Sequence, residues 1–178
     1  MGDERAELGH AEVMAFLLAP PCRVADIGAG TGRDAAALAA RGYSVVAVEP
    51  VAELRAIAER LHSGSPVQWV AAELPGLAEL SESFGMMFLT AVWMHLDGEE
   101  RAQGMRRVAG LLAPGGRLFM ALRHGPVPAG RRMFEVTAEE VVAAGAARGL
   151  SLLYQGERED RHRRDEVWWS DLVLERAG

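Results

Sequence analysis

A glycine-rich turn and a distant acid carry the clearest chemistry in this chain. Val24-Ala25-Asp26-Ile27-Gly28-Ala29-Gly30-Thr31-Gly32 joins a short apolar run to an alanine-rich one. Glycines at alternate positions let the backbone turn sharply and let a ligand approach without meeting a Cβ. A helix starting directly afterwards offers free N–H groups and the positive end of its dipole. Glu49 closes the next β-branched run about twenty residues beyond Gly28, the spacing at which an acid accepts both hydrogen bonds of a ribose diol. The plainer alternatives are an ordinary loop for the glycines and a solvent-facing helix cap for Glu49.

Two nucleoside cofactors suit such a turn, a nicotinamide dinucleotide and S-adenosylmethionine. The dinucleotide fingerprint is G-x-G-x-x-G, whereas the glycines here stand at 28, 30 and 32, with Arg33 and Asp34 next. The glycine needed for close helix–strand packing is therefore missing from its usual place. A dehydrogenase also needs a second nucleotide-binding half and a substrate region, for which 178 residues leave little room.

Further along the chain lie groups able to move a proton or hold an acceptor. His95 and His124 have the imidazole pKa suited to a general base, and Arg123 precedes His124. Each has a structural alternative, as a packed histidine or a loop anchor. Trp93 suits stacking on a planar acceptor, although packing is the commoner use. The segment 124–136, with Gly125-Pro126, Pro128, Gly130 and Arg131-Arg132, has the composition of an acceptor-side lid, and the arginine pair suits an acidic substrate. A solvated charge pair is the duller reading. Cys22 is the single cysteine, so neither an internal disulfide nor a cysteine-rich zinc site is expected, and no metal is expected.

These groups must be positioned by alternating elements. Apolar spacing predicts a helix over 6–18, stopped by Pro20-Pro21. Strands are predicted at 23–27, 44–48, 67–70, 86–90 and 117–122. Helices are expected at 33–41, from Pro50 through Leu61, from Asp97 to about Leu112, and from Thr137 to Gly149, with a short one at 77–82. Asp97 with Glu100, and Thr137 with Glu140, have capping-box form. Pro114-Gly115-Gly116 reads as a tight turn into the fifth strand. Two final strands, about 150–155 and 167–175, flank a loop that mixes acids with Arg158, Arg161, Arg163 and Arg164. Alternating β and α elements argue for a parallel sheet covered on both faces, and a closing ββ pair adds antiparallel character at one edge. The expectation is one α/β domain over 1–178. Within it lie an N-terminal helix (1–20), a cofactor-binding core (21–122), an acceptor-side loop (123–136) and a C-terminal helix and hairpin (137–178).

Composition narrows the partners. The net charge is −6, which argues against a nucleic-acid partner held by bulk electrostatics. All 19 basic residues are arginine, so Schiff-base chemistry and the phosphate-gripping lysine are excluded. The longest apolar N-terminal run, Val13 to Pro21, is too short for a membrane span, and the acids before it have the wrong sign for a signal peptide. A cytoplasmic location is expected, and the oligomeric state is left open.

Asp26-Ile-Gly28-Ala-Gly30-Thr-Gly32 resembles the first motif of class I S-adenosylmethionine-dependent methyltransferases of the small bacterial type. Glu49 resembles that family's ribose-binding acid, Val92-Trp-Met-His95-Leu96 its segment after strand four, and Leu112-Ala-Pro114-Gly115-Gly116-Arg-Leu118 its turn before strand five. The resemblance implies a three-layer Rossmann-like sandwich with a seven-stranded, mostly parallel sheet whose last strand inserts antiparallel. It implies S-adenosylmethionine as cofactor, with Gly28, Ala29 and Gly30 against its amino-acid part and Asp26 helping through water or the turn. Glu49 and Pro50 would lie at the ribose, and Thr90 and Ala91 would line the cleft. Adenine would sit near Ala72, Glu73 and Leu74, where the usual acid is displaced by about one position. Gly85 stands where relatives often carry Asp. The acceptor is expected to be a small molecule. The alternatives are a reduced-size NAD(P)-dependent oxidoreductase and a non-catalytic cofactor-binding partner protein.

Overall fold

A computed structural model describes residues 11–160, 162 and 164–178. Residues 6–10 of the predicted first helix, Arg161 and Arg163 lie outside the described residues. The elements run α1 (Ala11–Met14), β1 (Arg23–Ile27), α2 (Arg33–Ala40), β2 (Ser44–Val48), α3 (Ala52–Leu61), β3 (Val67–Val70) and β4 (Phe84–Thr90). A single 3₁₀ turn (Trp93–His95) precedes α4 (Gly98–Leu111), β5 (Leu112–His124), α5 (Ala138–Ala146), β6 (Leu150–Glu159) and β7 (Trp168–Arg176).

The strands form one seven-stranded sheet in the order β3-β2-β1-β4-β5-β7-β6. The first five are parallel, and β7 inserts antiparallel between β5 and β6. The central strands are buried on both faces, which is why β1, β2 and β4 read as near-continuous apolar runs. One face packs Ala25, Ile27, Met87 and Leu89 against Met105 and Val108 of α4 and Val141 of α5. The other packs Val24, Val45, Met86 and Phe88 against Val13 of α1 and Leu38 of α2. This is the expected three-layer arrangement, and the reversal of strand order where β1 adjoins β4, after the chain crosses back from β3, creates a crevice at the carboxyl ends of the parallel strands.

Several boundaries differ from expectation for local reasons. Within the described residues the first helix is only Ala11–Met14; Ala15, Phe16 and Leu17 donate to carbonyls three residues back, so the chain tightens before Pro20. The helix after Glu49 starts at Ala52 rather than Pro50, because Val51 is still extended. No helix forms at 77–82. Leu77 takes a positive φ of 47°, and the Arg107 guanidinium holds the carbonyls of Gly76, Leu77 and Leu80. Pro114-Gly115-Gly116 is not a turn ahead of β5 but an irregularity within it. The register jumps from Phe84↔Leu112 to Met86↔Arg117, and Gly115 takes φ 72°. Both capping boxes form, at Asp97 with Glu100 and at Thr137 with Glu140.

Candidate functional site

The glycine turn emerges from β1 as expected. Gly28 and Ala29 donate their N–H groups to the Val48 carbonyl (2.8 and 3.0 Å), so the turn is tied to the end of β2. Gly28, Gly30 and Gly32 have φ of 74°, 56° and 80°, the left-handed region that glycine occupies without strain. Gly28 is also confined by a neighbour, since an added Cβ would meet Val92 Cγ2 at 2.5 Å. Gly30 faces open space.

Glu49 joins the two halves of the rim. Its carboxylate is buried, with Oε2 accepting from Gly30 N (2.9 Å) and Oε1 from Val51 N (3.0 Å). A carboxylate has about four lone-pair positions, so each oxygen retains capacity for a hydroxyl donor. Beside this rim, a cavity of about 480 Å³ is bordered by Pro50, Ala72, Glu73, Leu74 and Gln103. Glu73 is exposed, whereas Ala72 and Leu74 are buried. Open backbone at Gly30, an anchored acid and this adjoining cavity fit an adenosine-bearing sulfonium. Asp26 lies buried on β1; burial, then the negative charges of Asp34 and Glu49, push its carboxyl up to about 7 against the opposing pull of Arg33.

At the end of β4, Thr90 is exposed and Ala91 adopts φ 59° while donating to the Ala121 carbonyl (3.0 Å). A non-glycine residue in this region is strained, and such strain concentrates at functional sites. His95 Nδ1 lies 2.8 Å from the Arg132 carbonyl, an acceptor only, so Nδ1 is the donor of this pair and Nε2 is left facing away from it. Arg132 reciprocates, donating Nη1 to the His95 carbonyl (3.1 Å) and to Glu100 (2.8 Å), and Nη2 to Asp97 (3.0 Å). Its guanidinium is thereby committed to buckling the 124–136 segment onto the start of α4, rather than free for an acidic substrate. Trp93 is buried against Gly104 and packs.

Arg123 and His124 do not face the same space. Consecutive residues of β5, they point to opposite faces of the sheet. Arg123 shares the face of Phe119, which packs with α1 and α2. His124 lies on the other face, its ring stacked on Trp168 (3.8 Å) and Nε2 2.9 Å from Ser170 Oγ; burial lowers its pKa.

Sequence reasoning missed Val51, 44% exposed beside Glu49, and Val92 against Gly28. An apolar residue directly after Glu49-Pro50 was the available signal for the first. Gly85 is explained by packing, because a methyl group there would overlap Cys22 Sγ. Among the described residues no helix is long and apolar enough to cross a membrane.

The family model described as "Methyltransferase domain" matches residues 25–120. No curated protein sequence matches the chain. Among solved structures, the chain is similar to the 1,6-didemethyltoxoflavin-N1-methyltransferase of Burkholderia thailandensis, bound to 1,6-didemethyltoxoflavin and S-adenosylhomocysteine. The identity is 22%, 89% of this chain and 72% of that chain are covered, and the TM-score is 0.71. It is similar to the magnesium protoporphyrin IX methyltransferase of Synechocystis PCC 6803 with bound S-adenosylmethionine, at 20% identity, 94% and 76% coverage and a TM-score of 0.75. A methyltransferase from Methanosarcina mazei described as S-adenosylmethionine-dependent matches at 17% identity, 94% and 98% coverage and a TM-score of 0.75. At these identities the structures speak to the fold; the family match favours neither the nicotinamide reading nor the non-catalytic one.

Proposed function

The chain belongs to the methyltransferase-domain family and is an S-adenosylmethionine-dependent enzyme, and from that premise we propose that it methylates a small-molecule acceptor by direct transfer at the mouth of β4 and β5. When bound, the cofactor supplies an activated methyl group on a sulfonium, so the difficult chemistry is its own. The residues of the chain bind, orient and exclude water, which is chiefly a positioning task.

Gly28, Ala29 and Gly30 give the cofactor's amino-acid part a surface without bulky side chains, and Asp26 lies beneath it. The free lone pairs of Glu49 accept from the ribose hydroxyls, with Pro50 and Val51 alongside. Ala72, Glu73 and Leu74 border the adenine cavity. Thr90 and Ala91 form the floor at the reacting end. His95, its Nδ1 occupied by the Arg132 carbonyl, offers Nε2 as the base candidate if the acceptor atom must lose a proton. Small-molecule acceptors are named for the Burkholderia and Synechocystis neighbours, which supports the same class here.

One observation carries this reading. The Gly30 N–H to Glu49 bond of 2.9 Å makes the glycine turn and the acid a single rim. Calorimetric titration with S-adenosylhomocysteine tests it: binding is expected, with Glu49→Gln at least about tenfold weaker, the scale of a lost charge-assisted hydrogen bond. No binding at millimolar ligand defeats the proposal.

A further inference from the structure

Helix α3 is tied to the nucleoside rim at both of its ends. At its start, Val51 N donates to Glu49 Oε1 (3.0 Å), and Arg55 Nη1 donates to the carbonyls of Glu49 and Pro50 (2.6 and 2.8 Å). At its close stands His62, directly after the last helical residue. The His62 backbone N–H answers the Ala58 carbonyl (2.9 Å), but its ring leaves the helix and reaches the glycine turn, with Nε2 3.0 Å from the Thr31 carbonyl. A carbonyl only accepts, so Nε2 is the donor of this pair.

The turn depends on this bond past Gly30. Gly28 and Ala29 are fixed through the Val48 carbonyl, and Gly30 through Glu49. Among the described residues, the His62 ring makes the only hydrogen bond that ties Thr31 to another part of the chain. Gly32 is backed from the same quarter, since an added Cβ would stand 2.6 Å from Trp69 Cη2 and 3.2 Å from His62 Cδ2. Gly30, two residues earlier, faces open space. A ligand lying on Gly30 needs the turn already in this shape, and its apparent affinity falls by whatever fraction of the time the turn is elsewhere. A donor that holds the Thr31 carbonyl raises the competent fraction without touching the ligand.

We propose that His62 is a positioning residue for the cofactor: by gripping the Thr31 carbonyl it holds the glycine turn in the conformation that Glu49 completes. This assignment rests on the methyl-transfer reading. Glu49 and His62 clamp consecutive residues of the turn, Gly30 and Thr31, and α3 joins the two clamps.

The test is calorimetric titration of S-adenosylhomocysteine into the unaltered protein, His62→Ala and His62→Gln, each well below its unfolding midpoint. His62→Ala is expected to bind about threefold to tenfold more weakly, the reach of one neutral hydrogen bond. His62→Gln, whose amide nitrogen can donate across the same gap, should recover much of that loss. A purely structural role would lower the unfolding midpoint of His62→Ala and leave its affinity at the unaltered value, and that result overturns the proposal. So does a His62→Gln protein that binds no tighter than His62→Ala. Hydrogen exchange gives a second readout. In cofactor-free His62→Ala the Gly32 N–H, which donates to the Ala29 carbonyl at 2.9 Å, should exchange faster, and saturation with S-adenosylhomocysteine should remove the difference. Equal exchange at Gly32 in the two cofactor-free proteins overturns the proposal. Should neither variant fold, the nitrogen spectrum of the unaltered protein in mildly alkaline buffer decides: His62 carries its proton on Nε2, and a proton on Nδ1 alone overturns the assignment. Failure of the unaltered protein to bind S-adenosylhomocysteine strikes the methyl-transfer reading and this inference with it, whereas unchanged affinity in His62→Ala strikes the inference alone.

Discussion

Asp26 sits 4% exposed on β1, and its carboxyl is raised to about 7, first by burial and then by Asp34 and Glu49. A carboxyl raised from 3.8 favours the folded state below pH 4, where both states hold the proton, and that contribution is lost as pH climbs toward 7. Three units correspond to about 4 kcal/mol. Urea midpoints measured from pH 4 to 8 should therefore fall for the unaltered protein and fall less for Asp26→Asn. The glycines separate by their surroundings. Gly28→Ala meets both a positive φ and Val92, and should cost about 3 kcal/mol or more. Gly30→Ala meets only the φ penalty, about 1 kcal/mol, because nothing lies within 4 Å of the new methyl. That methyl would stand where the cofactor approaches, so Gly30→Ala should stay folded by circular dichroism while losing the thermal shift that S-adenosylhomocysteine produces.

The two capping boxes and the arginine buckle show what sequence discloses about elements. Asp97 and Thr137 were legible because a cap is local, a side chain answering an N–H three residues on. Thr137→Ala should lower stability by about 1 kcal/mol in denaturant unfolding. The buckle is not local: Arg132 reaches Asp97 and Glu100 across more than thirty residues, and the composition of the 124–136 segment suggested a lid instead. Arg132→Ala should speed hydrogen exchange at the Phe134 amide, which donates to the Met94 carbonyl at 2.8 Å, while moving the melting temperature little. Unchanged exchange there would contradict the buckle. The absent helix at 77–82 has a similar cause, because the Arg107 side chain from α4 organises that turn and no periodicity in the segment reports it.

Across the whole molecule, the alternating βα pattern and closing ββ pair were enough to anticipate seven strands and antiparallel character at one edge, whereas the insertion of the last strand between its neighbours came from the family resemblance. The fifth strand was expected to stop at residue 122, so Arg123 and His124 read as neighbours in the loop beyond it, whereas the strand runs on to His124 and its alternation sends them to opposite faces. Likewise Trp169, Arg158 and Asp171 joined no motif, since β6 and β7 must be in register before Arg158 meets the Asp171 carboxylate and the Trp169 ring. The inserted strand is as much core as the rest. Leu174 is fully buried and contacts the surface of α5 so closely that a methyl on Gly145 would meet its Cδ2 at 2.6 Å. Leu174→Ala should cost about 2–5 kcal/mol in urea unfolding, against under about 1 kcal/mol for Leu152→Ala on the 40% exposed edge. Inserting β7 between β5 and β6 also sets an order of assembly on the ribosome. Every residue of the nucleoside rim, from Gly28 to Leu74, is synthesised long before Trp168–Arg176, yet the far wall of the crevice needs that late strand to slot in beside β5. A nascent chain can thus shape its donor half while its acceptor half is still unwritten, and joining the two waits on the slow closure of distant contacts.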